Sequence, residues 1–116
     1  MWLFLEGGRF LSIVADTGDS FLVQANLPGD IETNFPSVDI QEATGTEYRF
    51  SATVPRQTVM SVIQDELAGL NYSDLSKTVC NPNRVKAVNM VKEAMVDAQE
   101  VARRGGDVGS VCHATE

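Results

Sequence analysis

A chain of 116 residues has room for one domain, and an apolar share of 43% beside a charged share of 22% suits a chain that packs a core, which excludes a disordered or fibrous protein. The net charge of −7 is unevenly spread: Met1 to Val79 holds eleven acidic residues against four basic ones, and the remainder balances five against five. A field of that sign repels phosphates and draws in basic surfaces, so direct binding of DNA or RNA is disfavoured and a partner protein with a basic surface is favoured.

Trp2 to Leu5 and Phe10 to Ala15 are short apolar runs separated by Gly7-Gly8, a hairpin signal because glycine adopts positive φ at little cost. The first run has no basic residue before it and carries Glu6, so an export signal is not expected. After Asp16-Thr17-Gly18-Asp19, Phe21, Val23, Ala25 and Leu27 alternate with Leu22, Gln24 and Asn26, which predicts a third strand closed by Pro28-Gly29. Asp30 to Asn34 has room for one helical turn before Phe35-Pro36. Val38 and Ile40, then Tyr48, Phe50, Ala52 and Val54, alternate with polar residues on either side of Thr44-Gly45, a second hairpin.

From Pro55 the period changes. Val59, Val62, Ile63 and Leu67 fall three and four apart and Gly69 is a stop, which predicts an amphipathic helix over 56–68. Asn81-Pro82 reads as an N-cap followed by proline at the first helical position, opening a helix that runs to about Arg104. Its apolar set, Val85, Val88, Val91, Met95, Ala98 and Ala102, is broad enough to need two neighbours in the fold or a partner. The expected fold is α+β: an antiparallel sheet of about five strands, two hairpins plus a strand, followed by two C-terminal helices packed on one face. Residues 1–104 form the domain and 105–116 a flexible C-terminal tail.

The chain has one histidine, His113, in that tail, so a nucleophile activated by histidine has no firmly held base and no catalytic residue is assigned. Cys112-His113 with Cys80 falls short of the four organised ligands of a structural zinc site; no metal and no cofactor are expected, and Cys80 and Cys112 read as free thiols. Gly7-Gly8-Arg9 lies between strands rather than at a helix start, the wrong context for a phosphate loop. No run approaches the roughly 20 apolar residues of a membrane span, so a cytoplasmic location is expected. Asp30, Glu32, Asp39, Glu42 and Glu47 are close enough in sequence to form an acidic face. Trp2 and Phe4 share one face of their strand, as do Tyr48 and Phe50, and both pairs read as core, with Trp2 the one suited to a partner contact.

Met1-Trp2, Phe10 to Ala15, Leu22 to Ala25, Pro28 to Glu32, Tyr48 to Phe50, Val54 to Arg56, Asn71 to Leu75 and the helix from Arg84 together resemble a family of short, largely uncharacterised bacterial and phage proteins that begin with Met-Trp. The resemblance implies a phage or mobile-element setting in a bacterial host cell, and with it a non-enzymatic inhibitor of the anti-CRISPR type that occludes a host defence complex such as a CRISPR effector. In that reading the acidic face, Asp30, Glu32, Asp39, Glu42 and Glu47, mimics phosphate toward a basic groove. The alternatives are a nucleotide-binding sponge that uses Arg9, Arg49 and Arg56 as anion contacts, with a homodimer as its setting, or a housekeeping role.

Overall fold

The computed structural model describes residues 1–105. Five strands form one antiparallel sheet in the order β1-β2-β3-β5-β4: β1 (Trp2–Leu5), β2 (Arg9–Ala15), β3 (Ser20–Ala25), β4 (Gln41–Glu42) and β5 (Phe50–Pro55). The helices are α1 (Asp30–Asn34), α2 (Arg56–Ala68) and α3 (Pro82–Arg103). The α+β fold, the five strands and the helix boundaries agree with the periodicity. The second hairpin is shorter than its alternation predicts. Only Gln41 and Glu42 pair with β5, while Val38 and Ile40 pack against the core from irregular backbone, and burial alone accounts for their apolar character.

The core lies on one face of the sheet. Leu5, Leu11, Ile13, Val23, Ala25, Ala52 and Val54 point to the side covered by Ile31 and Phe35, from α1 and the residue after it, and by Val59 of α2. Val62 and Ile63 continue the α2 face against it, at the spacing that makes a helix amphipathic. Trp2, Phe4 and Phe10 fall on the opposite face because side chains alternate along a strand.

Helix α3 starts where the sequence places it: the Asn81 side chain accepts from Asn83 N and Arg84 N, and Pro82 needs no hydrogen bond there. It is held mainly through the 3-10 turns of residues 6–8 and 75–78, at the end of the first hairpin. Val88 is its one buried residue, and at about 1.5 Å per residue its 22 residues reach about 33 Å, so most of it projects beyond that attachment.

Gly8 is the tight point of the attachment. Its φ is +82°, and a Cβ there would meet Val79 Cγ1 at 3.0 Å and Arg84 Cβ at 3.2 Å. Gly8→Ala combines left-handed strain with a clash against the helix root and is expected to cost about 2 kcal/mol in urea denaturation. Gly7→Ala meets no atom within 4 Å and is expected to cost less.

Candidate functional site: an apolar groove beneath the last helix

The first hairpin builds the floor. A loop of Glu6, Gly7 and Gly8 sets Leu5 opposite Arg9 and therefore Phe4 opposite Phe10. Phe4 and Phe10 rings lie 5.0 Å apart between centroids, and Trp2 meets Phe10 edge-on at 6.1 Å, spacings at which aromatic pairs attract. Contrary to the core reading of the sequence, Trp2 is 70% exposed and Phe4 stands outside the core, because Leu3 and Leu5 take the inward positions of β1. Phe50 does pack against the core, as expected.

The groove's root is a buried ion pair. Asp30, 1% exposed, opens α1 just after Gly29, and its Oδ2 accepts from Phe10 N at 3.0 Å. Arg84, in the first turn of α3, donates from Nη2 to Asp30 Oδ1 at 2.7 Å and from Nη1 to Oδ2 at 3.0 Å, with a further bond from Nη1 to Gly8 O at 3.1 Å. This bidentate fork fixes both position and rotation of the helix. Ala87 and Val91, one and two turns on, then face Trp2, Phe4 and Phe10 across a groove of about 460 Å³, with Asn26 and Leu27 on its rim. Alanine at position 87 is too short to fill it. Val91 is 45% exposed and Met95, a turn further, 65%, so the apolar stripe of α3 continues from the groove into solvent.

The acidic residues named from the sequence divide. Asp30 is a correction: it is buried beneath Arg84 and presents no charge to a partner. Glu32, Asp39, Glu42 and Glu47 are exposed, on α1 and around β4. Asp39 accepts from Gln41, and Glu42 pairs with Arg49 at 2.6 Å. Asn26, on the groove rim, donates to Glu47 O at 2.9 Å, which brings the Glu47 backbone next to the groove.

The arginines named as anion contacts do not converge. Arg49 and Arg56 flank the six residues of β5, about 20 Å apart. Arg49 lies over the Phe50 ring, and Arg56 lies over Phe21 with Asp19 at 3.6 Å. Arg9 is taken up by Asn34 Oδ1, Glu6 O and Glu66 Oε1.

That last network stands in a second, polar depression. Glu66 accepts from Asn34 Nδ2 at 2.7 Å and from Arg9 at 3.2 Å, and the Asn34 bond, aided by Arg9, holds its carboxyl below the usual range. A depressed carboxyl contributes stability that is present above its unfolded pKa, near 4.5, and is lost as pH falls through the folded value. Glu66→Gln is therefore expected to destabilise the protein at pH 7 and to flatten the loss of stability below about pH 4.5, measured by thermal melts across pH.

Among the described residues no three His, Cys, Asp or Glu side chains are grouped to hold a metal, and no helix is long and apolar enough to cross a membrane. Cys80 is an exposed free thiol, while Cys112, His113 and all of the expected tail but Gly105 lie outside the described residues. Two features of the site escaped sequence reading. The Asp30 to Arg84 pair spans 54 positions and leaves no local pattern. Phe10 was legible: a three-residue loop after Leu5 puts it opposite Phe4. No protein-family model matches the chain, and neither the curated proteins nor the solved structures contain a match to it.

Proposed function

We propose that the protein is a non-enzymatic binding module, an inhibitor or adaptor, that seats an apolar segment of a basic protein partner in the groove between its aromatic face and α3. The observation that carries this reading is the groove itself, walled by Trp2 and Val91 and continuous with an apolar helix stripe that the described residues leave exposed. Apolar surface arranged as a concave strip beside a helix is the form that a partner's helix or loop covers. Exposed Glu32, Asp39, Glu42 and Glu47 and the net charge of −7 supply the electrostatic part, favouring a basic partner and raising the rate of encounter. In a phage or mobile-element setting, a nucleic-acid-binding defence complex in the bacterial cytoplasm is a partner of that chemistry.

The nucleotide-sponge reading draws no support from Arg9, Arg49 and Arg56, which are separated and engaged within the fold. The test is affinity capture from a lysate of the source cell with wild-type protein and Val91→Asp in parallel. One stoichiometric partner held by the wild type and lost by the variant supports the proposal.

A further inference from the structure

We infer that the protein self-associates through the edge of β1 that no other described strand covers, pairing it antiparallel with β1 of a second copy to form one continuous ten-stranded sheet. The two edges of the sheet differ. The far edge, β4, is two residues long and carries the Glu42 to Arg49 ion pair, the kind of short charged edge that resists pairing. The near edge, β1, is Trp-Leu-Phe-Leu, with no charge, proline or bulge among its four residues.

The hydrogen-bond register makes this edge self-complementary. Met1 and Ile13 exchange both backbone bonds, at 2.8 Å each. Bonded and non-bonded pairs alternate in an antiparallel ladder, so Leu3 bonds Leu11 and Leu5 bonds Arg9, while the N–H and C=O of Trp2 and Phe4 point away from β2. A two-fold axis at Leu3 sets Trp2 of one copy opposite Phe4 of the other. Both residues offer outward N–H and C=O groups, so four backbone hydrogen bonds form around the axis. The same pairing stacks Trp2 against the second copy's Phe4 on the open face, a cross-strand aromatic pair formed twice.

The surroundings of the edge fit a second copy better than a lone foreign strand. On the helix side the last turn of α2 leaves Leu67 exposed beside Met1, and Leu70 is exposed just beyond it, near Glu6. A two-fold copy brings an identical helix layer against these side chains as well as an identical strand against the edge. Exposed apolar surface and strand backbone here come to on the order of 600 Å² per copy, near the roughly 800 Å² per partner of a standard interface.

The experiment is sedimentation velocity on the full chain from about 1 to about 500 µM, with amide exchange followed at Phe4. The expected result is a monomer to dimer shift over that range, in which the Phe4 amide, free in the monomer, becomes protected. Trp2→Lys and, on the helix side, Leu67→Lys each weaken association at least about tenfold while the monomer still melts cooperatively at low concentration, Leu67→Lys at the wild-type temperature and Trp2→Lys lower by no more than its lost contact with Phe10. Val91→Asp, which blocks the groove, leaves the dimer intact, so this inference and the partner proposal fail separately. A chain that stays monomeric at the highest concentration overturns the inference. So does a dimer that survives both lysine variants, or one that forms while the Phe4 amide exchanges freely.

Discussion

Asp30→Ala is expected to lose about 3–5 kcal/mol of stability, a fifth or more of the roughly 5–15 kcal/mol that a domain usually has. The carboxylate accepts from Phe10 N and from two nitrogens of Arg84, and its removal leaves an amide and a guanidinium, the latter only 16% exposed, without their acceptor. Arg84→Ala is expected to cost a similar amount for the converse reason, since it strands a carboxylate that has almost no access to water. The double variant should then lose less than the two losses added, because each single change includes the cost of an orphaned charge that the double one does not. Urea denaturation of all four proteins measures this. The pair's particular contribution is placement: two apolar residues could match its stability without directing α3 across the aromatic face. A loss below about 1 kcal/mol for either single variant would mean that the helix root is held mainly by Val79 and Val88.

Val91→Asp is expected to weaken partner binding by about 2 kcal/mol or more, roughly thirtyfold, while the fold is kept. Val91 stands two turns above the ion pair, faces Trp2, Phe4 and Phe10, and is already partly in water, so a carboxylate there strains nothing in the free protein. In a complex the same carboxylate would be desolvated among apolar side chains with no donor beside it. Reversing Asp39, Glu42 and Glu47 to Lys acts on another part of the interaction. It slows association and makes it less sensitive to salt, because these residues are exposed and lie outside the groove, where they act through the field they set up. Asp30 is left out of that set because it is buried.

Much of the fold was legible because each element carries its own signal. Gly7-Gly8 between apolar runs marks the first hairpin, the three-and-four spacing from Val59 marks α2, and Asn81-Pro82 marks the start of α3. The second hairpin misled because Val38 and Ile40 alternate like strand residues yet need only be buried, which irregular backbone achieves as well as a ladder does. The site was harder to see for a related reason. In β1 every residue is apolar, so period two separates Trp2 and Phe4 from Leu3 and Leu5 without saying which pair faces the core. Nor does an aspartate in a loop announce an arginine 54 residues away, and without that pair the charge pattern places Asp30 on a surface it never reaches. The breadth of the apolar stripe on α3 did carry information: it asked for a second neighbour, and among the described residues Met90, Val91, Met95 and Val96 stay exposed.

The groove as a partner site is tested most directly by a photo-crosslinking amino acid placed at position 91 in the producing cell, with Glu93, on a different face of the same exposed helix, as the control position. One protein partner is expected, crosslinked from position 91 and not from 93, at a basic or apolar segment, and released at high salt when crosslinking is omitted. Equal labelling from both positions, or none from position 91 while wild-type protein still captures its partner, would contradict it.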